Sequence, residues 1–141
     1  MKLNLVLLLL GVAVSSCKDG GSPTNTILGL STSYSYASYD SVGTRIVEGW
    51  FTLDIADSNH ISGEWHFVKV GEANGVDLQV GAGNLVGGFQ SGLLWIELHP
   101  QFRDANLQLL GTLTTNGYTG TWQAIGIMGI FNHGSFQARP L

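Results

Sequence analysis

Groups able to do acid–base, nucleophilic or metal chemistry are few in this chain of 141 residues: one cysteine, four histidines and ten carboxylates. His60, His66, His99 and His133 fall singly, on loops and outward strand positions, without the close spacing that marks a zinc site. They read as lone surface histidines, and no metal is expected. Glu48, Asp54, Glu64 and Glu97 fall mainly on the polar side of alternating segments, where a carboxylate solvates a sheet. A glycosidase needs two such groups across one cleft, and nothing in the spacing pairs them. No nucleophile elbow, H-E-x-x-H helix or phosphate-binding loop occurs. Gly81-Ala82-Gly83 followed by Gly87 lacks both the spacing and the helix of a dinucleotide fingerprint. The chain is read as non-catalytic and without a cofactor.

Cys17 is the exception, because of what precedes it. Met1-Lys2 is a basic start, Leu5 to Val14 is an apolar run, and Val14-Ser15-Ser16 is a small-residue stop. The run is shorter than the roughly 20 residues that span a bilayer, and its order is that of a secretory signal. Val14-Ser15-Ser16-Cys17 resembles the lipobox of bacterial lipoproteins, with Val14 where Leu is commoner and Ser16 in place of Gly or Ala. That resemblance implies cleavage before Cys17 and acylation of its thiol, with palmitate among the chains attached. It implies a bacterial cell envelope location, the outer membrane ahead of the inner, since Lys18 rather than aspartate follows the cysteine. Two or three acyl chains hold a protein permanently, where one binds reversibly.

Three stretches follow: residues 1–16 as signal peptide, 17–26 as lipidated cysteine and tether, and 27–141 as a single folded domain. Lys18 to Thr26 contains no apolar residue. Charged residues make up 11% of the chain, against roughly 25% in an ordinary domain, and glycine is about twice its usual share. After cleavage, five bases (Lys18, Arg45, Lys69, Arg103 and Arg139) stand against ten acids. No basic cluster exists to attract nucleic acid or anionic headgroups.

Apolar and polar residues alternate with period two from about Leu28 to Ala138, the pattern of half-buried strands. Phe51, Leu53 and Ile55 would face inward. So would Ile61, Trp65 and Phe67; Leu94, Ile96 and Leu98; Leu107 and Leu109; Tyr118 and Trp122; and Phe136 and Ala138. Asp57-Ser58-Asn59, Gln90-Ser91-Gly92 and Asn116-Gly117 supply the reversals. The expected fold is all-β, an antiparallel up-and-down meander of eight or nine strands. The doubtful strand is Val76 to Val80, and the longest irregular connection is placed at 99–106, with room for one short turn.

Six glycines precede a large apolar residue by two places: Gly49/Phe51, Gly63/Trp65, Gly87/Phe89, Gly111/Leu113, Gly120/Trp122 and Gly134/Phe136. Glycine weakens a strand interior, so its recurrence needs a cause. Closing a small sheet into a closed or partly closed barrel supplies one, by bending strands and making room for a neighbouring ring. Ile61-Ser62-Gly63-Glu64-Trp65 and Tyr118-Thr119-Gly120-Thr121-Trp122 resemble strand openings in avidin-type and related calycin barrels. That resemblance implies a meander around a ligand-holding centre. The polar set of avidin-type biotin sites has no counterpart here, so biotin is not implied.

Two functions follow. Phe51, Trp65, Trp122 and Phe136 on the inner face could wall a cavity for a small apolar ligand. Alternatively the core is solid, and outward Trp50 and Trp95, grouped with Ile46 and Leu93, mark a surface for an envelope protein.

Overall fold

Strands form wherever the two-residue alternation is bounded by turn chemistry, and each reversal hands the chain to its neighbour. The computed structural model describes Leu30 and residues 32–141. Cys17, the signal run and the tether lie outside the described residues. Among the described residues there are nine strands: β1 (Ser33–Tyr39), β2 (Arg45–Thr52), β3 (Asp54–Asp57), β4 (His60–Lys69), β5 (Gly81–Gln90), β6 (Leu93–Glu97), β7 (Ala105–Thr114), β8 (Gly117–Gly126) and β9 (Gly129–Pro140). All pairings are antiparallel, in the order β2-β1-β9-β8-β7-β6-β5-β4-β3. Pairing of β2 with β4 closes the sheet into an eight-stave barrel. β3 is the extra strand: it continues β2 beyond Leu53 and pairs with β4.

Register explains the glycines. Across each ladder a large inward side chain tends to meet a glycine. Phe67 lies opposite Gly49 and Gly81, Trp65 opposite Gly83, Trp122 opposite Gly134 and Phe136 opposite Gly120. Backbones approach closely at these points. A Cβ on Gly111 would run into the Thr119 carbonyl and lie 2.9 Å from the Gly120 Cα. One on Gly134 would stand 2.6 Å from the Trp122 Nε1.

The expected inner face is the core: Phe51, Trp65, Phe67, Leu94, Ile96, Leu107, Leu109, Trp122 and Phe136 are all buried. Outward positions carry Ser, Thr, Glu, His and Gln. Apolar inside and polar outside is the reverse of a membrane-spanning barrel. Three expectations change. Val76–Val80 is not a strand: Gly75 turns at φ +70°, and Asp77–Gln79 forms a 3₁₀ turn closed by Gln79 N–H on the Val76 carbonyl at 2.8 Å. Its buried residues, Val76 and Gln79, are spaced by three, as a helical turn requires, rather than by two. The segment from Val70 to Val80, not 99–106, is the longest connection, although the latter does hold a short turn with Phe102 N–H on the His99 carbonyl. Ile46, expected outside, is only 5% exposed. It is the unpaired residue of a bulge, since Val47 faces Ser38 and Arg45 faces Tyr39, and a bulge lets consecutive side chains share a side.

The barrel has two unlike poles. Chain direction puts the start of β1, the end of β9 and the β3–β4, β5–β6 and β7–β8 hairpins at one, the terminal pole. The connections 40–44, 70–80, 98–104 and the 127–128 turn lie at the other, the capped pole.

Candidate functional site

Two of the four side chains expected to wall a cavity, Phe51 and Phe136, meet in one cluster of rings with Tyr34, Tyr36, Phe67 and Tyr118. Tyr36 stacks on Phe67 with centroids 4.0 Å apart, and Tyr34 stacks on Phe51 at 5.2 Å. Phe136 packs edge-on to Tyr118 at 4.7 Å and against Tyr36 at 5.8 Å. Trp65 joins this set through Phe67 at 5.3 Å, and its indole N–H donates to the Leu98 carbonyl at 3.2 Å. Trp122 donates to the Tyr39 carbonyl at 2.8 Å, with its ring over Gly134. All four expected residues are no more than 2% exposed. These separations are those of aromatic contact, so the rings of this cluster pack directly on one another.

A polar cap covers the core at the capped pole, and sequence reasoning missed it. The 70–80 connection crosses the barrel mouth and lowers Gln79 into it. Ser38 Oγ donates to Gln79 Oε1 at 2.7 Å and the Tyr36 hydroxyl reaches the same oxygen at 3.4 Å. Gln79 Nε2 is buried without a hydrogen-bond partner among the described residues. The strap is fixed at its flanks: His99 Nε2 lies 2.7 Å from the Leu78 carbonyl, and Asn132 Nδ2 donates to the Gly75 carbonyl at 3.1 Å. His99 stands edge-on to Trp65 at 5.4 Å, so it is half-buried against the core rather than a lone surface histidine. The one signal in the sequence was Ser38, a polar residue continuing the inward row of Tyr34 and Tyr36.

On the outer wall, Trp50 is 41% exposed and lies nearly parallel to His66, its partner across β2 and β4, with centroids 6.2 Å apart. Two hollows meet at Trp50. One of about 240 Å³ runs over His66, Glu64, Ala82 and Asn84. The other, about 410 Å³, runs over Arg45, Glu48, Val68 and Leu141. Trp95 does not join this surface. It is half-buried on β6, opposite Gly88, where an added Cβ would lie 3.0 Å from the indole. Strands β4 and β5 separate the two tryptophans. Leu93 is 38% exposed.

The titratable groups are organised locally. Asp57 Oδ1 accepts from Asn59 N–H at 2.8 Å, and its carboxylate meets His60 Nδ1 at 2.8 Å. The Asn59 bond first, and His60 second, hold the Asp57 carboxyl below its ordinary range. Burial pushes the Tyr36 and Tyr118 phenols well above theirs. Arg45 and Glu48 pair at 2.7 Å on the exposed wall, where such pairs contribute little. Among the described residues, no group of three His, Cys, Asp or Glu side chains is placed to hold a metal ion. Comparison with protein-family models, with curated proteins and with solved structures found no match for this chain.

Proposed function

We propose that this chain is a lipid-anchored, non-catalytic protein of the bacterial cell envelope, whose solid barrel presents an outer surface to another envelope protein. The carrying observation is the interior: rings pack on one another, stacked or edge-on, at 4.0–5.8 Å where a ligand would have to lie. With the inside occupied by the protein's own side chains, recognition falls to the outside. Trp50, flanked by His66, Glu48, Glu64 and Val68 between two hollows, is the part of that wall best suited to it. Large aromatics at a surface contribute disproportionately to protein contacts.

Cells fed labelled palmitate will incorporate it into this chain and not into Cys17→Ser, which leaves the membrane fraction. Trp50→Asp will keep the native circular dichroism and unfolding midpoint while losing capture of its envelope partner by cross-linking. Palmitate labelling that persists in Cys17→Ser, or a cross-link unchanged in Trp50→Asp, would overturn the corresponding half.

A second reading, a small apolar ligand in the barrel with Phe51, Trp65, Trp122 and Phe136 around it, draws on the cap. Gln79 offers a buried donor, Nε2, without a partner among the described residues, on a strap held by Ser38, His99, Asn132 and buried Val76. It requires the strap to lift and the rings to part. Native mass spectrometry of the purified protein separates the two readings: a mass at the bare polypeptide plus acyl chains supports the solid core.

A further inference from the structure

The capped pole carries apolar side chains that the fold does not use. Val42 is 84% exposed, Ile127 83% and Met128 99%, and Phe102, Ile130 and Phe131 are more than half exposed. They come from three connections that are consecutive around the rim. The β1–β2 loop holds Val42, the β8–β9 hairpin holds residues 127–131, and the β6–β7 loop holds Phe102. No Asp, Glu, Lys or Arg occurs between Asp104 and Arg139, so the hairpin, all of β8 and β9 as far as Ala138 are without formal charge. The neighbouring connections hold Asp40, Glu72, Asp77 and Asp104 against Arg103, with Lys69 and Arg45 at strand ends and Arg45 paired with Glu48, so the charged groups of this pole lie off the hairpin.

We propose that this pole is a bilayer-contacting surface, with the Ile127–Met128 turn entering the headgroup–acyl boundary. A two-residue turn with nothing packed beside Met128 gives a partner protein little to complement. A bilayer needs only apolar side chains, no charge and no unpaired strand edge. The hairpin meets the last condition, because Gly126 pairs with Gly129 and Ile125 with Ile130, which leaves outside the ladder only the turn and the single bulged residue Phe131. Interfacial insertion reaches about 5–10 Å, to a depth where turn peptides still find water.

Chain length permits it. From Cys17 to Leu30 the polypeptide can span up to about 45 Å. Ten-residue strands run about 33 Å, and their tilt in a barrel shortens the axis to about 25 Å. A lipid on Cys17, leaving from the terminal pole, can therefore share a membrane with the opposite pole. This shared geometry rests on the lipidation proposed above, and the test is arranged not to depend on it.

Cys17 is the only cysteine, so the full chain carrying Cys17→Ser and Met128→Cys takes one environment-sensitive nitrobenzoxadiazole label at the tip. The same background with Asn116→Cys labels the terminal pole. Vesicles of phosphatidylethanolamine and phosphatidylglycerol will blue-shift the tip label, and brominated acyl chains will quench it at least fivefold more than the Asn116 label. The effect will persist in 0.5 M salt, because it is apolar burial rather than charge attraction. Equal quenching at both positions would overturn the proposal. So would a tip label that stays water-like with vesicles, or a concentration-dependent blue shift without lipid, which would assign the pole to a second copy of the chain. Because neither variant has Cys17, failure here leaves the palmitate result standing, and failure of palmitate labelling leaves this result standing.

Discussion

Two phenols buried inside the barrel make stability depend on alkaline pH. Tyr118 donates to the Leu94 carbonyl at 2.9 Å, and Tyr36 reaches Gln79 Oε1; burial raises both above an unfolded tyrosine near 10. Below pH 10 both states keep their protons and no difference arises. Above it the unfolded chain releases protons that the folded one retains, so stability falls as pH rises. The unfolding midpoint will drop between pH 10 and 11.5, and the Tyr36→Phe, Tyr118→Phe double variant will flatten that drop. Each substitution will cost about 1 kcal/mol at neutral pH for the lost hydrogen bond. At this scale the inward rows were legible, because alternation assigns a face to every strand residue without knowledge of its partner. Gln79 and His99 were not legible. The burial of Gln79 and the half-burial of His99 come from a connection crossing the barrel mouth, and no local period records that. Trp50 and Trp95 had the same local signature, yet only Trp50 is substantially exposed. The glycine opposite a residue, Gly88 for Trp95, is a matter of register.

At the scale of elements, glycine opposite a large side chain lets these strands share a narrow interior. The sequence displayed the pairs along each strand; the physical partner lies across the ladder, as Gly120 does for Phe136 and Gly134 for Trp122. Gly111→Ala drives a methyl into the Thr119 carbonyl, backbone that cannot swing away. It will cost about 1–3 kcal/mol, as overpacking does, read as a lowered urea midpoint. Gly43→Ala, at φ +88° with open space around it, will cost only the backbone penalty of about 1 kcal/mol. The Val76–Val80 segment was misplaced for a related reason. Its apolar residues fit strand and turn alike, and what decides is Gly75 bending the chain so that Gln79 enters the barrel.

For the whole molecule, closure is the dominant fact. The β2–β4 and β1–β9 pairings seal the barrel, so among the described residues only the four-residue β3, paired with β4 alone, leaves a strand edge open to association. The meander itself could be read from turn chemistry; the closing pair could not, because nothing local in β2 names β4 as its second neighbour. β9 is long and binds β1 along half of its length, from Ser135 to Pro140. Removing residues 136–141 would free β1, expose Tyr36 and Phe136's former site, and replace a single sharp thermal transition with a broad, low one, checked by calorimetry.

Leu141 donates its N–H to the Ser33 carbonyl at 3.0 Å, so the first strand begins beside the place where the last one ends. A short glycine bridge could join them, and the chain could then be reopened elsewhere. Cutting at Thr115–Asn116 would return a new beginning to the same face, while cutting at Ile127–Met128 would turn the molecule upside down with respect to whatever is attached to its front. The circularly permuted pair would thus present opposite ends of one unchanged scaffold to a surface.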